Sequence, residues 1–387
     1  MGNIIDYVDW RGDLTFEQDG FNQVDAVIFS QIAMIELDDF FKEYSKLTIF
    51  EIYNLMKHNG IKKYQYMGLI IPTDIIKLIT KMAHSKRYKN LEVSHYVNII
   101  DNNKQMQFCA LTVKINDRLS CISFSGTDDT IIGWKENFNL VCMENIPAQL
   151  EAVKYVELIA KDVDELIICG HSKGGNLTIY STYEINDETF QKVKKAYSID
   201  GHGLTHKPTN EDNLEKRTKV IVSIIPQFAV VGRLFEHNER IKVIHSNAIG
   251  FYQHDTFSWE VLGRRFVVDK HGLDPDAVYI EKKVKNVIED LDYTDKEQFV
   301  NILFSLLAAA KVEKLTDLNR KTILLIKSYM NLDPTSQKKI SKVTLKLIKD
   351  KIILKYIYVN VKEFKKIKEK NKKIIKEISE YEGELYG

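Results

Sequence analysis

The run Glu165-Leu-Ile-Ile-Cys-Gly170-His171-Ser172-Lys173-Gly174-Gly175-Asn-Leu-Thr-Ile-Tyr180 joins an apolar, strand-like stretch to a helix-like one through a serine set between glycines. A turn of this kind holds the serine on a strained backbone with its hydroxyl exposed, and small residues two positions before and after it let strand and helix approach closely. Gly170 and Gly174 meet that need, Gly175 relaxes it further, and His171 is expected to shape the turn. The helix start beneath the serine offers free amides and a dipole that favour developing negative charge. The chemistry predicted is nucleophilic attack by Ser172 on an acyl carbonyl. The plain alternative is a glycine-rich strand–helix turn with an incidental serine.

Acyl transfer also needs donors aimed at the oxygen of the tetrahedral intermediate. One is the backbone N–H of Lys173, the residue after the nucleophile; the second is expected from a loop after an earlier strand. Ser120-Cys-Ile-Ser-Phe124-Ser-Gly126-Thr127-Asp-Asp-Thr130, followed by Gly133-Trp134, is the candidate loop. A base and an orienting acid should follow the serine in the chain. His254, in Gly250-Phe-Tyr-Gln-His254-Asp255 after the last predicted strand, is the first choice of base, and His202 competes with it. Asp200, in Tyr197-Ser-Ile-Asp200-Gly201, stands at the end of a predicted parallel strand, where sites of such sheets gather. It is the chosen acid, with Glu236 and Asp255 as fallbacks; its plain alternative is an Asx turn.

Phe124-x-Gly126-Thr127 with Trp134 seven residues on, upstream of Gly-His-Ser-x-Gly-Gly, resembles the lipase class 3 branch of the α/β-hydrolases. The wider pattern, from Asp6-Tyr-Val-Asp-Trp-Arg-Gly-Asp-Leu to Gly250–Trp259, resembles a bacterial lipase-like family of unknown function, over roughly residues 5–260. The resemblance implies an α/β-hydrolase fold, Thr127 as the second oxyanion donor and His254 as the base. Class 3 lipases carry an aspartate after the strand before the histidine; here Val222-Ser-Ile-Ile-Pro226-Gln227-Phe-Ala has no carboxylate, and Asp200 lies one strand earlier.

The elements that must position these residues are read from periodicity. Residues 1–90 read as mainly helical, with Ala26–Asp39, Thr48–His58 and Thr73–Ser85 showing apolar positions three or four apart. Within 91–270, strands are expected at Tyr96–Ile100, Gln107–Ile115, Ser120–Ser125, Glu165–Gly170, Lys195–Asp200, Lys219–Ile225 and Lys242–Ser246. Helices are expected at Gly133–Met143, Pro147–Val163, Gly175–Ile185 and about Asn210–Arg217. This alternation predicts an α/β fold with a mostly parallel central sheet covered on both faces. Residues 271–387 read as a helical extension, with helices at Asp274–Leu291, Asp295–Val312, Thr316–Asn331 and Thr335–Ile348. The domain expectation is therefore a lipase-like unit over 1–270 and a C-terminal helical extension. From Lys351 to about Glu380 the chain is lysine-rich, with Phe364, Ile367, Ile374, Ile375 and Ile378 near helical spacing. It reads as a solvated helix with one packed stripe, the sharper alternative being peripheral contact with an anionic membrane or an acidic partner.

Composition bounds the rest. With 44% apolar and 28% charged residues the chain is a folded one, and a net charge of +1 gives no global case for nucleic acid. Cys109, Cys121, Cys142 and Cys169 form no CxxC pair, so buried thiols are expected, without disulfides or a metal site. The start MGNIIDYVDWRGDL lacks a signal-peptide pattern, and the longest apolar run, Phe299–Ala310, is too short to span a membrane, so the cytoplasm is the expected location. The function expected is a serine esterase or lipase-like hydrolase needing no cofactor, acting on a small-molecule ester or lipid. Its alternatives are an inactive scaffold on the same fold and an acyltransferase or thioesterase using the same serine.

Overall fold

The computed structural model describes residues 2–61, 64, 74–209, 213–314, 317–318 and 321–356. The N-terminal region carries α1 (Ile4–Arg11), α2 (Gln23–Ile32), α3 (Asp38–Phe41), the short strand β1 (Lys46–Thr48), α4 (Ile49–His58) and α5 (Asp74–His84). Side-chain caps set the helix starts: Asn3, Asn22 and Thr48 each accept amide hydrogens, and Asp6, Asp25 and Glu51 answer from the third helical position. The single helix expected over Ala26–Asp39 is broken after Ile32. Tertiary contacts win there: the Ala33 carbonyl accepts from the Cys109 thiol, and Met34 sulfur accepts from Gly126 N–H at 3.0 Å.

The central sheet follows chain order. Strands β2 (Glu92–Asp101), β3 (Met106–Lys114) and β4 (Leu119–Phe124) join β1 in an antiparallel meander. From β4 the sheet continues parallel through β5 (Glu165–His171), β6 (Val193–Ile199), β7 (Ile221–Pro226) and β8 (Arg240–Ile244). All seven strands expected from sequence are present within a few residues. The connections carry α6 (Ile131–Asn139), α7 (Pro147–Ile159), α8 (Lys173–Glu184), α9 (Asp187–Lys192) and α10 (Leu214–Val220). A small hairpin of β9 (Val261–Leu262) and β10 (Arg265–Phe266) follows.

Each parallel step moves to the adjacent strand in the same direction, so right-handed crossovers lay the connecting helices on one face. Side-chain alternation shows this directly. Ile122, Phe124, Leu166, Ile168 and Ala196 pack with α7 and α8, while Cys121, Ile167, Cys169, Ile199 and Ile224 pack with the N-terminal helices. The second face is thus covered by chain that precedes the sheet, not by crossovers. All four cysteines are buried free thiols, with the Cys121 and Cys169 sulfurs 3.7 Å apart across neighbouring strands.

The C-terminal helices α11 (Pro275–Glu289), α12 (Tyr293–Ala309), α13 (Thr322–Met330) and α14 (Pro334–Ile348) complete the described chain, with Asp274, Asp292 and Asp333 as caps. They sit against the strand C-terminal side of the sheet. Ala277 and Ile280 of α11 pack on Phe228 and Val230 after β7, and Val300 and Phe304 of α12 pack on α6 and Cys142. Residues 351–356 are helical; Phe364, Ile367, Ile374, Ile375 and Ile378 lie outside the described residues. Among the described residues, no helix is long and apolar enough to cross a membrane.

The N-terminal layer is locked by a buried ion pair. Arg87 holds Asp25 through Nε (3.0 Å) and Nη2 (2.8 Å), and Tyr88 hydroxyl donates to the same carboxylate at 2.6 Å. Both charged side chains are inaccessible to solvent. Asp25→Ala strands the guanidinium in the core, and removing one partner of a buried pair costs about 3–5 kcal/mol. A urea unfolding curve is expected to shift its midpoint down by that amount, whereas an exposed control such as Asp117→Ala should leave it within about 0.5 kcal/mol.

Candidate active site

Ser172 stands between β5 and α8 with φ 57° and ψ −120°, a conformation that a non-glycine residue adopts only under local constraint. Its N–H donates to Ile199 O at 2.9 Å, which ties the turn to the end of β6. The flanking glycines are required by contact. A β-carbon on Gly170 would lie 2.2 Å from Gly174 O, and one on Gly174 would lie 2.3 Å from Phe124 O. Gly175 does more than relax the turn: a β-carbon there would meet Gly201 Cα and Ser198 Oγ, both at 2.8 Å.

The structure brings Asp200 and His254 together. Asp200 follows the last residue of β6, is buried, and places Oδ2 2.6 Å from His254 Nδ1. This hydrogen bond puts the imidazole proton on Nδ1 and leaves Nε2 as an acceptor. Asp200 has φ 43°, which aspartate tolerates better than most residues, and its N–H donates to Ile224 O at 2.8 Å. Gly232 packs on its back, where a β-carbon would meet Oδ1 at 2.1 Å. His254 closes a 3-10 turn, Gly250–His254. Trp259 Nε1 donates to Gln253 O at 2.7 Å, and Gln253 Oε1 accepts from Phe228 N–H at 2.7 Å. The imidazole, 17% exposed, lies with its ring centre 4.5 Å from that of His171.

His171 does what the turn position expects and more. Its Nε2 donates to His254 O at 2.9 Å, so the residue before the serine grips the loop that carries the second histidine. Burial, together with the charge of a protonated His254, pushes the His171 imidazole well below its ordinary range.

Lys173 N–H, at the first position of α8, has no partner within the helix. Its side chain does not reach solvent. Nζ donates to Gln107 O and Oε1, each at 2.5 Å, and to Glu136 Oε2 at 3.0 Å, and both charged side chains are fully buried. Glu136, on α6, also accepts from Gln107 N–H at 3.0 Å and Ala148 N–H at 2.9 Å. Thr127 follows Gly126, whose α-carbon face lies against Ser172: a β-carbon on Gly126 would be 3.5 Å from Ser172 Cβ. Thr127 Oγ1 accepts from Asn137 Nδ2 at 2.5 Å, leaving its own proton to donate elsewhere.

The competing residues sit in other surroundings. His202 is buried, away from the Asp200–His254 hydrogen bond. Burial holds it down to about 4. Glu236 is largely exposed and faces Lys285, and Asp255 caps the next turn through Phe257 N–H. At the end of β7, where class 3 lipases carry an aspartate, Gln227 exchanges two hydrogen bonds with the Ser246 backbone, at 2.7 and 2.9 Å. Sequence reasoning missed Glu136, Asn137 and Asn176. Asn176 Nδ2 donates to Gly203 O at 2.8 Å and so holds the loop after Asp200. Among the described residues, no three His, Cys, Asp or Glu side chains are grouped to hold a metal.

A family model matches residues 82–305, more than half of the chain. The chain belongs to the Mbeg1-like family. That family is lipase-like and of unknown function. The matched segment runs from the end of α5 into α12, and so takes in strands β2 to β8 of the sheet, Ser172, Asp200, His254 and α11. No curated protein matches the chain.

Two outcomes follow from the buried groups. Lys173→Met leaves the Glu136 carboxylate alone in the core and is expected to cost about 3–5 kcal/mol in urea unfolding, with part recovered in Lys173→Met/Glu136→Gln. Acidification is expected to destabilise the chain. The folded pKa of His202 and His171 lies below the unfolded value of about 6.5, so stability present above that pH is lost as the unfolded chain takes up protons the folded chain refuses. The loss begins below about 6.5 and, for His202, continues down to about 4. In His202→Leu, the gap in unfolding free energy between neutral and mildly acidic buffer should shrink.

Proposed function

We propose that the chain is a serine hydrolase of the α/β-hydrolase type, esterase- or lipase-like, that works through an acyl-enzyme. One observation carries the reading: the strained Ser172 turn shares one sheet edge with the 2.6 Å Asp200–His254 pair, whose own loop is gripped by the residue next to the serine. A buried carboxylate on Nδ1 fixes the tautomer that lets Nε2 accept the serine proton during attack and return it to the leaving alcohol. Asp200 orients the ring and stabilises the imidazolium formed in that step. Lys173 N–H and Thr127, through its backbone and its Asn137-oriented hydroxyl, donate to the oxyanion.

Burying the Lys173 cation has a functional side. The residue after the nucleophile contributes an amide and no mobile charge, so the site favours neutral esters over anionic ones at the scissile bond. Half-exposed Ile249 and Phe251 flank the loop of His254, and Met34 lines Gly126, which supports a hydrophobic acyl group.

Wild-type protein should be labelled by a fluorophosphonate probe and Ser172→Ala should not. Asp200→Asn, which disturbs the histidine tautomer, should lower turnover of p-nitrophenyl octanoate about 10³–10⁴-fold. Turnover compared across butyrate, octanoate and laurate esters reads the acyl preference. Equal labelling of wild type and Ser172→Ala would sink the proposal.

A further inference from the structure

Helix α13 is built with its apolar side outward. Ile323, Ile326 and Met330 recur at spacings of three and four, share one face with Lys327, and are 71%, 55% and 70% exposed. On the flank of this face Tyr329 rests on α14: its hydroxyl meets Ser341 Oγ at 2.7 Å, while Gln337 Nε2 donates to Tyr329 O at 3.1 Å. Leu345 lies one helical turn beyond Ser341 on that face of α14 and is 46% exposed, so the apolar surface runs from one helix onto the next.

Around it stand lysines, only some of which form an ion pair among the described residues. Lys339 and Lys346 are engaged by Asp295 and Asp290. Lys327, Lys338, Lys342, Lys349 and Lys351 are exposed, with no ion pair among the described residues. Residues 321–356 carry nine lysines and no arginine against two aspartates, in a chain whose whole net charge is only +1. Positive charge is therefore concentrated on this helical pair.

We propose that the outer face of α13 and the lysines of α14 form a docking surface for an anionic lipid bilayer. Exposed Ile and Met ringed by cations match the two terms of interfacial binding, apolar insertion and attraction to acidic headgroups. Lysine is a point charge that needs no fixed partner geometry, which suits a fluid surface, whereas a folded acidic protein or nucleic acid is read more often through arginine forks. With no helix able to cross a membrane among the described residues, the contact lies along the surface. It does not depend on the chemistry at Ser172.

Flotation of the full chain tests it, with vesicles of phosphatidylcholine alone and of equal parts phosphatidylcholine and phosphatidylglycerol. The wild type should float with the mixed vesicles only, and raising salt should release it. Ile323→Ser/Ile326→Ser/Met330→Ser, all at exposed positions, should keep the wild-type circular dichroism and lower the bound fraction at least about tenfold. Lys338→Glu/Lys342→Glu should weaken binding about fivefold or more per lysine. Any of three results overturns the proposal: no flotation of the wild type, binding unchanged in the triple variant, or a lipid-free dimer that the triple variant converts to monomer. Loss of esterase activity in Ser172→Ala with flotation intact keeps the two proposals separate.

Discussion

The buried Lys173–Glu136 pair is the contact on which the arrangement of the candidate site depends. It joins four parts of the chain at one point: the start of α8, the helix after the Gly126-Thr127 loop, the first residues of β3 and the start of α7. Each of these is also placed by other contacts, and at this pair the serine turn and the helix after the Gly126-Thr127 loop are tied to the same fixed charges. A buried pair is weak evidence for stability and better evidence for specificity, since two desolvated charges admit few alternative arrangements. Lys173 thus divides its roles, with its backbone presented to the site and its side chain spent on holding the site together.

The rest of the positioning is backbone contact. Three strand ends, those of β4, β5 and β6, come together where Gly170, Gly174, Gly175 and Gly201 leave no room for side chains. The sheet edge so formed carries Thr127, Ser172 and Asp200 on successive strands. His254 is the outlier, delivered from beyond β8 by a turn braced by Gln253, Trp259 and His171. A parallel sheet with its reactive groups beyond the carboxyl ends of the strands is the general pattern for such folds.

The parts of this fold that follow local rules were legible in the sequence. The seven main strands read as β-branched runs, and the C-terminal helices read from their period, although of the starts expected at Asp274, Asp295, Thr316 and Thr335 only Asp274 is the observed cap. The serine turn was legible because its glycines are required by contact. β1 was missed because three residues carry no period, and the break after Ile32 because Met34 answers to a loop some ninety residues away. Glu136 was hidden by a helix pattern in which a charged residue reads as solvated; its partner lies 37 residues on. Gln227 in place of an aspartate, by contrast, was visible as an absence, and it directed attention to Asp200, which the structure sets against His254.

The order of layers has a consequence for how the chain folds. The helices that cover one face of the sheet are made first, yet α2 docks on β5 and β6, and Ser123 Oγ donates to Phe29 O across 94 residues. During synthesis the apolar side of α2 therefore waits for about 170 residues of chain before its binding surface exists. Contacts this distant in sequence slow folding and leave apolar surface exposed in intermediates. The N-terminal helices can therefore close on the sheet only after β6 has emerged.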